Sequence, residues 1–343
     1  MRPKERFFFM QRKSADPGAE GDLALQARVC LYWDRAQGRM LPESVQGARF
    51  LKWSHETRMG RLLLQHLFAT RLFAKIIYGW LLDTRWSGTK VQAYIDKNVK
   101  NLEMNDFEKA SYPSFNAFFI RKFKPGARSF VTDPHFIPAF AEGKYLGYSA
   151  SSVDQRLSIK NMILTPSEIL GSYQSGPEGP AHYATLFENG PVLICRLRPT
   201  DYHRFHYPDH GKLLARYRIH GSLYATNPVS YHYNKKVFIL NERQVNILDT
   251  QHFGKMAYVE VGAMCVGRII QTHDESSSFV KGQEKGYFLV GGSTIILFGE
   301  KDRWVPAPDI EERTRQNIET QVRLGDWLGY AAACAIPPEA SNL

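Results

Sequence analysis

The sequence is poor in cysteine and lacks the common nucleotide-binding and metal-binding signatures. Its 343 residues include 4 cysteines, none at the spacing of zinc ligands or of a disulfide framework. No G-x-G-x-x-G or P-loop motif is present, and neither is the G-x-S-x-G elbow of many serine hydrolases. These absences argue against a nucleotide-dependent enzyme, a zinc enzyme and a common type of serine hydrolase. The low cysteine content suits a reducing compartment.

The sequence also has no long uninterrupted apolar run. Residues 7–10 are too short for the apolar core of a secretory signal. Residues 61–83 are predicted to form a helix with a broad apolar face, but Arg71 and Lys75 interrupt it, and a bilayer span needs about 20 mostly apolar residues. Two alternatives stay open for this face: it lies in a membrane interface, or it packs on the protein's own core.

Positive charge is concentrated near the amino terminus. The net charge of the chain is +10, and residues 1–100 hold 18 Lys and Arg against 9 Asp and Glu, a net of +9. A basic lobe of this kind suits anionic lipid, an acidic partner or nucleic acid, and it also suits a merely solubilising surface.

The pattern of apolar residues predicts an α+β fold. From about residue 130 the apolar runs become short and are separated by turn residues, which indicates a mainly antiparallel β domain. We therefore expect a basic α-helical N-terminal lobe over residues 1–110, for which a membrane interface is one of the two alternatives above, and a β-rich domain over residues 111–343. Strands are predicted at 191–197, 236–240 and 256–261. Helices are predicted at 61–83, 91–110, 165–171 and 313–322.

One stretch, residues 286–298, combines two apolar runs with a central G-G-S-T. One interpretation is a hairpin whose turn is the glycine pair. The other is that Ser293 is a nucleophile placed beside the unhindered carbonyl of Gly292. Attack on that carbonyl would give an ester, and β-elimination of the ester would cut the chain and leave a pyruvoyl group at position 293.

Several spaced motifs resemble the phosphatidylserine decarboxylase family and follow its order over roughly residues 110–330. The resemblance implies a proenzyme that cuts itself between Gly292 and Ser293. The pyruvoyl group formed from Ser293 would be its cofactor and would act as an electron sink, and no metal is implied. The matching motifs are F-N-A-F-F-I-R-K at 115–122, L-R-P-T-D-Y-H-R-F-H at 197–206, V-E-V-G-A at 259–263, K-G-Q-E-K-G-Y-F at 281–288, G-G-S-T at 291–294 and V-R-L-G at 322–325.

The resemblance also implies roles for two histidines and a carboxylate. His206, the second histidine of Y-H-R-F-H, would belong to a Ser-His-Asp arrangement, and His203, the first, would handle protons during decarboxylation. The family's A-D-G reads A-E-G here, so Glu142 would replace the aspartate with a longer side chain. This departure leaves the speed of self-cleavage open. Asp201 and Glu260 are the next candidates for the orienting carboxylate.

The implied function is that of a carboxy-lyase that converts phosphatidylserine to phosphatidylethanolamine and CO2. One alternative is decarboxylation of a soluble aromatic amino acid on the same scaffold, since some relatives act on such substrates. Another is a non-catalytic lipid-binding relative, which the change at Glu142 suggests.

The expected partners are a phospholipid substrate, an anionic membrane surface and, in a homodimer, a second copy of the chain. The cut chains, residues 1–292 and 293–343, are expected to stay associated. The expected location is cytoplasmic and peripheral on the membrane, and no nucleic-acid partner is expected.

Overall fold

The computed structural model describes residues 29–77, 79–98, 104–108, 111–150, 165–171, 180–264, 268–274, 276–290 and 293–334. The strands in these ranges are β1 Val29–Asp34, β2 Arg39–Ser44, β3 Phe136–Pro138, β4 Gly143–Tyr148, β5 Val192–Leu197, β6 Arg204–His206, β7 Gly211–Ile219, β8 Arg243–Thr250, β9 Gly254–Val261, β10 Ile269–Gln271, β11 Glu284–Phe288, β12 Ser293–Gly299, β13 Trp304–Pro306, β14 Glu319–Val322 and β15 Trp327–Ala331. The α-helices are Ala48–Glu56, Arg58–Leu63, Arg71–Ile77, Arg85–Gly88, Val91–Asn98, Phe115–Phe119, Pro166–Leu170, Pro180–Leu186, Pro228–Tyr233, Val237–Leu240 and Pro308–Arg315. A π-helix spans Leu64–Phe68, and 3₁₀ turns span Leu81–Asp83 and Met104–Asp106.

A large mixed sheet organises the fold. Within the described ranges it holds nine strands in the order β2-β1-β14-β4-β5-β12-β9-β8-β7. Neighbouring strands are antiparallel except β1 and β14, which run parallel. Two three-stranded sheets, β10-β11-β6 and β13-β15-β3, accompany it. The predicted α+β class with a mainly antiparallel β domain is therefore confirmed.

The inner strands of the large sheet, such as β5 and β12, are buried on both faces, which explains their unbroken apolar runs. Along β12, Ile295 belongs to an apolar cluster that includes residues of the two smaller sheets, such as Phe288 and Trp304. Ile296, the next residue, belongs to a second cluster formed with the short helices, such as Ile169. Alternation along the strand thus fills two separate cores, and β12 lies enclosed between them.

The N-terminal region contributes strands to this sheet. The hairpin β1-β2 extends the sheet beyond β14, and Tyr32 lies opposite Glu319 in the parallel register. Buried ion pairs secure the hairpin, since Arg196 on β5 binds both Glu43 and Glu319 at 2.6 to 3.0 Å. Residues 29–44 of the predicted helical region are therefore strand and part of the sheet.

The predicted helix over 61–83 is instead a series of short helices. The α-helix Arg58–Leu63 passes into the π-helix, which ends at Ala69, and a new α-helix begins at Arg71. Thr70 accounts for the break, because its hydroxyl donates to the carbonyl of Leu67 at 2.6 Å and accepts from the N–H of Phe73 at 3.3 Å.

Of the three other predicted helices and the strand predicted over 236–240, one is confirmed and the rest are wrong wholly or in part. The helix over 165–171 is confirmed: Thr165 accepts from the N–H of Glu168, and Gly171 ends the helix with φ of 75°. The strand over 236–240 is wrong, because Val237–Leu240 is a short helix. The helix over 313–322 is wrong beyond Arg315, where the helix ends, because Asn317 takes a left-handed φ of 58° and the chain continues as β14. The helix over 91–110 is confirmed over Val91–Asn98 and wrong over 104–108, where Met104–Asp106 is a 3₁₀ turn and Phe107 pairs with Phe123. Residues 99–103 and 109–110 of that prediction lie outside the described ranges.

Candidate active site

Ser293 is the first residue of β12 and is fully buried. It lies opposite Leu197, the last residue of β5. β11 and β12 belong to different sheets, so the two apolar runs around G-G-S-T are not a hairpin. Gly292, on the other side of the predicted cleavage bond, lies outside the described residues, as does Gly291. The structure therefore shows the serine side of that bond.

His203 is the histidine that the structure places beside Ser293. Its Nδ1 lies 3.4 Å from Ser293 Oγ, and its Nε2 lies 2.8 Å from the carbonyl oxygen of Arg198. A carbonyl oxygen only accepts, so Nε2 carries the hydrogen and Nδ1 presents its lone pair to the serine hydroxyl. The Phe119 ring stacks on the imidazole with centroids 3.8 Å apart. These contacts fix both the tautomer and the orientation expected of a general base.

The surroundings keep His203 uncharged. Burial lowers its pKa to about 3, against the opposing effects of the Arg198 carbonyl and the nearby Asp201. The imidazole is therefore neutral at pH 7, and Nδ1 is free to accept a proton. Burial also makes the ring a weak base, so full protonation requires a negative charge to develop nearby, as it does when a carbonyl is attacked.

His206 has different partners. It lies on β6, where its Nδ1 contacts the carbonyl of Gly282 at 2.9 Å and its Nε2 lies 3.4 Å from the Tyr202 hydroxyl. Gly282 has a φ of 78°, a conformation that favours glycine. Within the described part of the chain, no hydrogen bond joins His206 to Ser293. Extended residues three apart face opposite ways, which explains why the two histidines do not converge.

Glu142 is held by groups other than a histidine. Arg128 donates to its two carboxylate oxygens at 2.6 and 2.9 Å, and the N–H of Leu324 donates at 3.0 Å. Among the residues that the structure describes, no hydrogen bond or ion pair links Glu142 to His206 or Ser293. Its predicted role in orienting His206 stays a prediction.

The two other candidate carboxylates lie in different places. Asp201 accepts from the N–H of Arg198 at 2.7 Å and so holds the turn whose carbonyl binds His203. Glu260 binds Lys285 at 2.6 Å and Asn246 at 2.7 Å in a separate buried network. Of the two, Asp201 is thus the one connected to the serine–histidine pair.

The comparisons with known proteins identify the family of this chain. The family model for phosphatidylserine decarboxylase matches residues 115–330, which is more than half of the chain. The chain belongs to the phosphatidylserine decarboxylase family. A phosphatidylserine decarboxylase proenzyme of Clostridium novyi is 36% identical over 84% of this chain and 94% of its own length. The proenzymes of Desulfitobacterium hafniense (strain DSM 10664 / DCB-2) and Clostridium perfringens are 35% and 33% identical, over 87% and 84% of this chain and 97% and 95% of their own lengths.

A cavity of about 820 Å³ is lined by neighbours of the serine–histidine pair, such as Leu197 and Phe119, and not by Ser293 or His203 themselves. Its volume is in the range of a small-molecule site. One side is formed by the catalytic sheet and its loops, and the other by the N-terminal hairpin and helices. Residues around it include Phe50, Leu51, Leu82, Tyr94 and Lys97 from the N-terminal side, and Phe119, Leu197, Arg198, Tyr202 and Val290 from the catalytic side.

The motifs of the phosphatidylserine decarboxylase family pointed to the histidines but not to two of their neighbours. Phe119, which stacks on His203, and Arg198, whose carbonyl fixes its tautomer, both lie within matching motifs. Neither stands out by residue type, because one is an aromatic among several and the other contributes a backbone atom. The described residues hold no group of three or more His, Cys, Asp or Glu side chains arranged for a metal ion.

Proposed function

We propose that this chain is a self-cleaving proenzyme whose mature form, a carboxy-lyase, converts phosphatidylserine to phosphatidylethanolamine and CO2. The observation that carries the proposal is the contact between Ser293 Oγ and His203 Nδ1 beside a substrate-sized cavity. The relatives' names support it, because each is a phosphatidylserine decarboxylase proenzyme. It is tested by mass spectrometry of the purified chain together with an assay of CO2 release from phosphatidylserine.

In the cutting step, His203 takes the proton of Ser293 as Oγ attacks the carbonyl carbon of Gly292. The C–N bond breaks, the proton passes to the nitrogen of residue 293, and an ester remains. Loss of the Ser293 α-proton then expels the Gly292 carboxylate, and water replaces the nitrogen, which leaves as ammonia. The new amino-terminal group is a pyruvoyl. Ser293 suits this chemistry because it is buried, next to a neutral imidazole, at the end of a strand.

In the mature protein, the pyruvoyl group supplies an electron sink for the loss of CO2 from the substrate. The chain's own residues exclude water and hold protons. His203 lies beside residue 293 and can return a proton there, while Phe119 stacks on His203 and Leu197 lies opposite residue 293. His206 and Tyr202 form a second proton-bearing pair close by.

The two products of the cut are expected to stay associated. Residues 293–343 include β12, which lies between β5 and β9, and β14, which lies between β1 and β4. The buried Arg196–Glu319 ion pair, at 2.6 Å, also joins the two products. Separation would remove two interior strands, break their four pairings in the large sheet and expose both cores.

Glu142→Gln is expected to slow cutting and to accumulate uncut chain. The substitution removes the charge that binds Arg128 and weakens the contact with the N–H of Leu324, next to the Tyr202–His206 pair. A time course of cutting after cell-free synthesis measures the effect. Glu142→Asp, which keeps the charge, is the control and is expected to cut. Cutting of the Gln variant at the unmodified chain's rate would remove Glu142 from the cutting machinery.

The N-terminal helices have the properties of a membrane-binding surface. Several of their large apolar side chains are exposed, although none of the described helices is long and apolar enough to cross a bilayer. Cations lie among them at Arg58, Arg61, Arg71, Lys75 and Arg85. The exposed apolar residues are Met59, Leu62, Leu67, Leu72, Ile76, Trp80 and Trp86. We propose that this surface holds the protein peripherally on anionic lipid, with apolar side chains at the acyl boundary and cations at the headgroups.

The full chain is expected to sediment with anionic vesicles more than with neutral ones, and less as salt rises. Each basic residue near such a surface contributes about 1 kcal/mol, screened over a Debye length of about 8 Å at physiological salt. Leu72→Ser with Trp80→Ser should weaken binding, since these side chains are 68% and 70% exposed. Leu214→Ser, at an exposed leucine on β7, is the matched control. Equal binding by the double variant and the control would contradict the proposal.

A further inference from the structure

Arg198 contacts His203 with its backbone and lines the cavity with its side chain. It follows Leu197, the residue opposite Ser293, and its carbonyl binds His203. Its side chain lines the cavity and is 24% exposed. A cation therefore lies on the wall of the space that a substrate would enter, and Leu197, the residue opposite Ser293, lines the same space.

The guanidinium of Arg198 has one nitrogen without a described hydrogen bond, and its carbon lies 5.7 Å from the centre of the Tyr32 ring. Nε and Nη2 bind the Asp201 carboxylate at 2.8 to 3.3 Å, whereas Nη1 donates no hydrogen bond within the described part of the chain. An ion pair that served only to neutralise Asp201 would not need to border the cavity. Arg196, two residues earlier in the chain, differs in both respects. It is buried, and two glutamates bind its guanidinium.

The headgroup of phosphatidylserine presents two anions, and the chemistry distinguishes them. Decarboxylation turns the carboxylate into neutral CO2, so a cation bound to it would stabilise the reactant more than the transition state. The phosphate keeps its charge throughout, so a cation bound to it stabilises both states equally. Arginine also suits phosphate because its planar guanidinium offers several N–H donors.

We propose that Arg198 binds the phosphate of the substrate headgroup through Nη1, while the carboxylate lies against the apolar wall of Phe119, Leu197 and Val290. The inference rests on the proposed function and specifies how that site selects a phospholipid. The phosphate would hold the amine and carboxylate at residue 293 without contributing to the loss of CO2 itself.

The test uses two product-like inhibitors of phosphatidylserine turnover in mixed detergent micelles. Ethanolamine carries the amine alone, and glycerophosphoethanolamine carries the amine and a phosphodiester. In the unmodified enzyme the second should bind more tightly. Arg198→Gln should weaken the binding of glycerophosphoethanolamine by roughly 10- to 100-fold, the loss expected for a hydrogen bond to a charged group. The binding of ethanolamine should not change. The KM for phosphatidylserine should rise with little change in kcat.

Two further variants complete the design. Arg198→Lys restores a charge without the planar fork and should give an intermediate inhibitor ratio. Arg315→Gln removes another arginine that donates through two nitrogens to one carboxylate, that of Glu312, outside the cavity lining, and should behave as the unmodified enzyme. Arg198→Gln keeps an N–H donor for Asp201. If that variant still fails to cut, Arg198→Lys carries the comparison.

The outcomes separate the two proposals. If the unmodified protein stays uncut or releases no CO2, the proposed function fails. If it is active but both inhibitors bind it equally, or the ratio is the same in the Arg198 variants, the phosphate assignment alone is overturned. A fall in kcat at constant KM would also overturn it, since Arg198 would then act through His203.

Discussion

Ser293→Ala is expected to yield one uncut chain with no decarboxylase activity. The substitution removes the attacking oxygen and the atoms from which the pyruvoyl group forms, so no slower route remains. A denaturing gel and intact mass measure this directly: the unmodified protein should give a chain ending at Gly292 and a blocked chain of the 51 residues from 293 to 343.

The neighbouring hydroxyl provides the matched control for this experiment. Thr294 is also fully buried, but alternation along β12 turns its side chain to the other face of the sheet. Thr294→Val keeps the side-chain shape and should still cut. Cutting by Ser293→Ala, or a free amino-terminal serine on the small chain of the unmodified protein, would show that the proposed chemistry is wrong.

His203→Ala is expected to slow cutting by about 10²- to 10⁴-fold, the contribution of a positioned general base. The reason is the 3.4 Å contact of its Nδ1 with Ser293 Oγ. His203→Gln, which fills more of the space beside Phe119, guards against a loss due to misfolding. The exposed His210→Ala is the control for histidine removal and should cut normally. Rates come from cell-free synthesis followed by a time course on a denaturing gel.

His206→Ala decides between the geometry and the family resemblance. The resemblance predicts that this variant stays uncut and that His203→Ala still cuts to some extent. The contacts with Gly282 and Tyr202 instead predict that His206→Ala impairs cutting less than His203→Ala does. An uncut His206 variant together with a normally cutting His203 variant would show that His206 is the base.

The pH dependence follows from the lowered pKa of His203, about 3. Cutting should be nearly constant from pH 8 to pH 5, because the folded imidazole stays neutral throughout. Below the unfolded value near 6.5, the unfolded chain takes up the proton first, so stability falls as pH falls. A loss of cutting rate centred near pH 6.5 would indicate a base of ordinary pKa. Burial lowers the pKa of His206 as well, so the variants distinguish the two rings.

Local signals in the sequence predicted local structure well and long-range pairing less well. The helix that Thr165 caps and Gly171 ends was predictable because its signals lie within one turn. The apolar run 236–240 was too short to separate a strand from a buried helix, and tertiary packing decided it. That β11 and β12 belong to different sheets depends on partners far away in the chain.

For the site, too, the sequence predicted the residue types better than their contacts. Motifs singled out Ser293, His203 and His206, and the resemblance assigned His206 to the serine. The structure shows the contact at His203 instead, because that contact depends on the backbone of the 198–206 segment. Glu142 was predicted to lie against a histidine, and its described contacts are with Arg128 and the N–H of Leu324. Arg198 lies within a matching motif, but its proposed role could not be predicted from the motif. That role depends on the cavity, which two distant parts of the chain enclose.

The position of β12 has a consequence for how the protein is made. In the precursor, one continuous chain brings this strand to its place between β5 and β9. After the cut, the same strand belongs to a separate peptide that would have to insert between neighbours already buried on both faces. The covalent link that lowers the entropy cost of that pairing is then gone. The mature protein would therefore not refold once its two chains had separated. It would persist because its unfolding is slow.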